Sequence, residues 1–333
     1  MIKSTPAVNS FLNAACHMCS LLPAGRRTAF SAFLRLAGQP ESFELQLPDF
    51  RFLVDTHDPR CCHAVLHGIQ DPATIAILLA EITPGDLVVD IGANKGLLSL
   101  FLAHKAGLNG RVVAYEPDPR NFQDLEHNAA INRDRLNLLA VRKALSSRAG
   151  IVHFDQSAWD DGTSGRGRIV NRIESRKTVE VEAATFDDEM DRLGISSAAV
   201  VKIDIEGGEV EAVKGMRRSL AAKRLKVVIL EFHDFQGNFQ IPQEQAEGML
   251  EQFQSTGYRG VFFDQNSFTE QEGRAGMRGE PLPLQDRTES ARAYSWEARN
   301  ALSKGRWLRP LQFLFRAAPP EADQSTNTPP SIG

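Results

Sequence analysis

Between Leu87 and Ser99 the chain reads Leu-Val-Val-Asp-Ile-Gly-Ala-Asn-Lys-Gly-Leu-Leu-Ser, and no other stretch limits the fold so tightly. Leu87 to Ile91 is a short apolar run of the kind that forms a strand buried on both faces of a parallel sheet. Gly92 breaks it, a polar tripeptide follows, and Gly96 precedes the apolar-periodic Leu97, Leu98, Leu100, Phe101 and Leu102. The pattern predicts a strand, a tight glycine turn and a helix. Such a turn lets a ligand approach bare backbone beside a helix N-terminus. Asp90, at the strand's end, is expected to point its carboxylate into the same crevice.

The glycine spacing discriminates between cofactors. A dinucleotide fingerprint reads G-x-G-x-x-G, its middle glycine making room for a pyrophosphate. Here Asn94 occupies that position, and the pattern is Gly92-x-x-x-Gly96. No G-x-x-x-x-G-K-[ST] phosphate loop occurs at this turn. The variant resembles motif I of the S-adenosylmethionine-dependent methyltransferases, whose cofactor carries a sulfonium and no phosphate.

Strands and helices then alternate, as in a parallel sheet covered on both faces. Strands are expected at Arg111–Tyr115, Leu136–Val141, Ala199–Ile205, Lys226–Phe232 and Gly260–Phe263, with a closing strand at Ala293–Trp296. Helices are expected near 119–131, 187–193, 209–222 and 242–256. The second strand runs into Glu116-Pro117-Asp118-Pro119. An acid at that strand tip, about 20 residues after the glycine turn, is where a ribose diol is held. Glu116 fills the place, its two oxygens able to accept from both hydroxyls. Asp118, just before Pro119, is the better helix cap.

The fourth core strand is the most unusual: Val200-Val-Lys202-Ile-Asp204-Ile-Glu206-Gly-Gly-Glu209. Alternation puts Lys202, Asp204 and Glu206 on one face. Interleaved charges are costly to bury unless paired, and the carboxyl end of a strand is where open sheets bind ligands. A bare Lys202–Asp204 pair satisfying itself is the plainer alternative. The next strand repeats the device with Glu231-Phe232-His233-Asp234.

Together, Val88-Val-Asp-Ile-Gly-Ala-Asn-Lys-Gly96, Ala114-Tyr-Glu-Pro-Asp-Pro119, Lys202-Ile-Asp-Ile-Glu-Gly-Gly-Glu209 and Ile229-Leu-Glu-Phe-His233 resemble the FkbM-type methyltransferases over roughly residues 85–235. The resemblance implies a class I methyltransferase fold: an α/β, Rossmann-like, doubly wound sheet of seven strands, mostly parallel, the last antiparallel. It implies S-adenosylmethionine as cofactor, with Asp90, Gly92, Asn94 and Gly96 lining the turn and Glu116 and Pro117 at the ribose. It further implies O-methylation of a saccharide, glycolipid or related natural product. Ala144-Leu-Ser-Ser147 stands where the family often shows Ala-Leu-Gly-Asp, and Gly208 where alanine is usual.

Methyl transfer needs a positioned nucleophile and a proton acceptor. Asp204, Glu206, Glu231 and His233 are the candidates. His233 or Glu206 is favoured as base, with Asp204 and Glu231 orienting. Three carboxylates and an imidazole also suit a divalent cation, the less favoured arrangement. Two further readings are a methyltransferase-like binding domain without catalysis and, with less support, a nicotinamide-dependent oxidoreductase. Arg166, Arg168, Arg172 and Arg176, with Trp159, lie in a glycine-rich insertion suited to capping the site, or to solvent alone.

A net charge of −4 gives no electrostatic case for nucleic acid. Four cysteines in 333 residues are too few for a disulfide framework, so free thiols in the cytoplasm are expected. No apolar run long enough for a transmembrane helix occurs, and the weak N-terminal apolar stretch is not read as a signal peptide. The expected organisation is an N-terminal helical segment with a small hairpin over 1–70, a methyltransferase domain over 71–300, and a basic-apolar segment with a disordered tail over 301–333. The segment Lys304 to Arg316 mixes cations with large apolar groups, and packing onto the domain is preferred to membrane-surface contact. Oligomeric state has no signature in the sequence.

Overall fold

The computed structural model describes residues 4–67, 72–156, 167–170, 177–232, 243–264 and 311–318. Two helices open the chain, α1 (Pro6–Ser20) and α2 (Arg26–Leu36), separated by a break at Pro23-Ala-Gly. The Thr5 hydroxyl accepts from the Val8 N–H, and Pro6 occupies the first turn, where its missing donor costs nothing. A hairpin follows, β1 (Ser42–Gln46) and β2 (Arg51–Asp55), then α3 (Pro59–His67) and α4 (Pro72–Ala80). Helix α3 was not foreseen.

Next come β3 (Leu87–Ile91), α5 (Leu97–Ala106), β4 (Arg111–Tyr115), α6 (Pro119–Ile131) and β5 (Leu138–Val141). An insertion contains β6 (Ala144–Leu145), β7 (Gly150–Asp155), β8 (Arg168–Val170) and β9 (Thr178–Ala184). The remainder is α7 (Phe186–Arg192), β10 (Ala198–Ile203), α8 (Glu209–Lys214), α9 (Arg217–Ala221), β11 (Leu225–Phe232), α10 (Gln243–Ser255), β12 (Tyr258–Asp264) and β13 (Leu311–Ala317).

The central sheet has seven strands in the order β5-β4-β3-β10-β11-β13-β12. The first five are mutually parallel, and β13 runs antiparallel to both its neighbours. This is the arrangement the family resemblance implied. The chain leaves β3 outward through β4 and β5, then returns to lay β10 on the other side of β3. That reversal opens a crevice at the carboxyl ends of β3 and β10, where such sheets take ligands.

Strand alternation divides the core between the two faces. Val88, Val112, Val200 and Ile229 join one cluster with α5 and with Leu12, Phe30, Phe43 and Phe52 of the N-terminal elements. Val89, Val113, Val201 and Val228 join the other with Met216, Leu220 and Phe253 from the helical side. The insertion folds into its own four-stranded sheet, β6-β9-β7-β8, around Phe154, Val181 and Ala183.

Three expectations need correction, and a fourth falls on residues that are not described. The strand expected at Ala293–Trp296 lies outside the described residues, and the antiparallel strand is β13. The segment assigned beyond the sheet domain, past residue 300, therefore contributes a strand between β11 and β12. Alternation of Phe313 and Phe315 with Gln312, Leu314 and Arg316 suits a strand, a pattern masked by the cations and Pro310 upstream. The single helix expected over 209–222 is two, parted at Gly215 and Met216, and Gly215 packs so closely that a Cβ would meet the Ser146 carbonyl oxygen at 2.2 Å. The third core strand starts at Leu138, two residues later than expected.

Candidate active site

The glycine turn after β3 is held by contacts that account for both glycines. Gly92 has φ +84°, and a Cβ there would stand 1.9 Å from the Asp204 carbonyl oxygen. The tips of β3 and β10 thus touch backbone to backbone, with the Asp204 N–H donating to Ile91 O at 3.0 Å. At Gly96, φ +86°, a Cβ would meet Leu125 of α6 at 2.5 Å. Asn94 is also left-handed, φ +52°, a conformation its short amide side chain tolerates.

Glu116 lies beneath this turn. Its Oε2 accepts from the Asn94 N–H at 2.8 Å and its Oε1 from the Asp118 N–H at 2.9 Å. Burial pushes its pKa up to about 7, against the lowering effect of these N–H donors. Asp118 caps α6 by accepting from the Arg120 and Asn121 N–H groups, which leaves Glu116 to the turn.

Asp90 does not reach the crevice surface. It is fully buried, accepts from Ser99 Oγ at 2.6 Å, and lies 3.6 Å from Lys202 Nζ. Lys202 Nζ also pairs with Asp204 Oδ2 at 3.1 Å. Burial pulls the Lys202 pKa down, but the carboxylates of Asp204, Asp90 and Glu231 outweigh it and hold the ammonium above the ordinary lysine range. The plainer alternative, a Lys202–Asp204 pair, is therefore present, and it sits on the wall of a cavity.

That cavity, of about 240 Å³, runs between the N-terminal helices α3 and α4 and the tips of β3, β10 and β11. Its wall includes Gly92, Asn94, Lys202, Asp204 and Glu231 from the sheet side. On the other side of Gly92 lies a narrow apolar slot of about 20 Å³ between Ile91, Pro117, Ala144, Phe154 and Ile169. Asp204 and Glu231 thus share one chamber, and Pro117 lines the other. Glu206, on the turn after β10 with φ +54°, is not among the residues lining the chamber. His233 lies outside the described residues, as do Trp159, Arg166, Arg172 and Arg176 of the insertion. Arg168 is on β8.

A second charged node had no sequence signal. Lys95, inside the glycine turn and 4% exposed, places Nζ 2.6 Å from Asp55, 3.2 Å from Asp58 and 3.4 Å from Asp124. The partners come from β2, the start of α3 and α6, so nothing local in the sequence marks the set.

All four cysteines are buried and unpaired, and burial pushes the Cys16 and Cys61 thiols up to about 12. Among the described residues no group of three or more His, Cys, Asp or Glu side chains is arranged to hold a metal ion, and no helix is long and apolar enough to cross a membrane.

Against known families, the methyltransferase FkbM domain matches residues 90–259, just over half of the chain. Hexuronic acid methyltransferase AglP of Haloferax volcanii is 30% identical over 169 residues, covering 50% of this chain and 64% of that protein, a little under two thirds of its length. The 31-O-demethyl-FK506 methyltransferase FkbM of Streptomyces tacrolimicus is 26% identical, covering 47% of this chain and 69% of its own. The 2-O-methyltransferase NoeI of Sinorhizobium fredii is 27% identical, covering 55% and 76%.

Proposed function

The chain belongs to the FkbM methyltransferase family, and on that premise we propose that it transfers a methyl group from S-adenosylmethionine to a hydroxyl of a saccharide, glycolipid or related natural product. The observation that carries this reading is the meeting of Glu116, Asp204 and Glu231 around one turn: a ribose-type acid beneath Gly92–Asn94, and two carboxylates on the chamber beside it. The names of the similar proteins above, two of them for O-methyl transfer, support the acceptor class.

The residues suit such a cofactor. Glu116 keeps lone pairs beyond those used by backbone N–H groups, enough to accept from a ribose diol. The slot at Pro117, Ala144 and Phe154 offers apolar faces to a purine, which at its present width would have to displace Phe154 or Ile169. Gly92 lines both slot and chamber, and Ala93 and Asn94 continue the turn along the chamber wall. When bound, S-adenosylmethionine supplies an activated methyl on a sulfonium.

The chain's own part is to hold a hydroxyl in line and remove its proton. Lys202 fixes the Asp204 carboxylate at the tip of β10. Asp204 and Glu231, on adjacent parallel strands, are assigned to align the hydroxyl. His233, two residues beyond Glu231, is assigned as proton acceptor on sequence grounds. The apolar Ile75, Leu97 and Leu98 on the chamber wall exclude water from the reacting end.

Calorimetry with S-adenosylhomocysteine and with NAD, followed by transfer of a labelled methyl group to a panel of glycosides, tests the reading. Asp204→Asn and Glu231→Gln are expected to bind S-adenosylhomocysteine yet lose about 100-fold or more in transfer. Binding of NAD in place of S-adenosylhomocysteine would overturn it.

A further inference from the structure

The chamber wall facing Asp204 and Glu231 is built by residues ahead of the family-matched segment. Phe52 comes from β2, Arg60, Cys61 and Ala64 from α3, and Thr74 and Ile75 from α4. Three cations line the chamber: Lys95, Lys202 and Arg60. Lys95 is occupied by Asp55, Asp58 and Asp124, and Lys202 by Asp204 and Asp90. Arg60 differs. Among the described residues its guanidinium makes neither an ion pair nor a side-chain hydrogen bond, although its backbone N–H donates to Asp58 Oδ1 at 2.9 Å. It also stands in the first turn of α3, the end of a helix where a positive charge is unfavourable. Helix stability therefore does not account for an arginine there. Of the three chamber acids, Asp58 and Asp204 pair with lysines and Glu231 lies close enough to Lys202 to raise its pKa, which leaves Arg60 as the chamber cation with no ion pair among the described residues.

The geometry points to an acceptor that carries an oxyanion, held by Arg60 of α3 while its hydroxyl faces the strand tips. A guanidinium presents a planar fork of N–H donors that a carboxylate or a phosphate can meet with two parallel bonds. With the anion anchored on one wall and the reacting hydroxyl on the other, Arg60 selects the acceptor without entering the chemistry. This rests on the methyl-transfer reading above and adds the acceptor's charge to it.

The test uses the full chain with S-adenosylhomocysteine present and three probes: 4-nitrophenyl β-glucoside, the matching β-glucuronide, and the glucoside 6-phosphate. Binding is followed by saturation-transfer NMR and calorimetry, for the native chain, Arg60→Gln and Arg60→Lys. The native chain is expected to bind one or both anionic probes about tenfold or more tightly than the glucoside. Arg60→Gln should abolish the preference and Arg60→Lys restore part of it. The carboxylate and phosphate arms then identify which anion fits. Equal binding of all three probes, no binding of any, or a preference that survives in Arg60→Gln would overturn the inference. Loss of S-adenosylhomocysteine binding by the native chain would instead overturn the reading beneath it.

Discussion

Two buried lysines, Lys95 and Lys202, stand on the same chamber among carboxylates and do different work. Lys95 gathers acids from three segments distant in sequence: Asp55 at the end of the hairpin, Asp58 before α3, and Asp124 on α6. It ties the N-terminal wall to the glycine turn. Lys202 takes its partners from the central sheet, Asp90 on β3 and Asp204 at the tip of its own strand. It ties the reacting end of the chamber to the sheet. The same ion-pair chemistry thus fixes shape in one place and the position of a functional carboxylate in the other.

Removing each ammonium is the strongest way to break that contrast. Lys95→Met leaves Asp58, 1% exposed, beside two further carboxylates with no cation. A loss of about 3–5 kcal/mol is expected from chemical denaturation, because breaking a buried pair strands the remaining charge. Lys202→Met is expected to cost less, about 3 kcal/mol, since Ser99 still donates to Asp90 and Asp204 is partly exposed. Its methyl transfer should fall further than its stability explains. If the two variants lose stability and transfer in the same proportion, the division of labour is wrong.

Glu116 sharpens the comparison from the other side, as a buried acid that forms no ion pair among the described residues. Its folded pKa of about 7 lies above the ordinary 4.5. Between those values the folded chain holds a proton that the unfolded chain has released. Its contribution to stability is therefore full below about 4.5 and is lost as pH rises through about 7. Binding of a ribose diol requires the ionised form, so affinity for S-adenosylhomocysteine should slope the opposite way. It should weaken by up to about tenfold for each unit below pH 7. Calorimetry over about three pH units centred on that value should show this slope in the native chain and none in Glu116→Gln.

Much of this was readable from the chain because the deciding signals are local. Leu87 to Leu102 carries a strand, a turn and a helix in sixteen consecutive positions, and Lys202, Asp204 and Glu231 stand at strand tips that alternation alone locates. The reason for Gly92 was only half visible: it was expected to open backbone to a ligand, and it also admits the Asp204 carbonyl from a strand more than a hundred residues away. Asp90 was expected in the crevice, but its position on the α5 face depends on Ser99 and Lys202, which only the folded sheet brings together. Lys95 and its acids, and the placement of Arg60 on α3, are relations between segments with no common period. Glu206 shares the alternation of Lys202 and Asp204 only while the strand continues, and β10 ends at Ile203.

The insertion of β13 between β11 and β12 sets an order of assembly. Synthesis delivers β11 and β12 first, and in the folded sheet they are held apart by β13. Until Leu311–Ala317 has left the ribosome, the parallel half of the sheet ends in an open row of donors and acceptors on β11, of the kind that recruits foreign strands. The cofactor turn and the strand-tip acids are thus synthesised well before the strand that closes that seam.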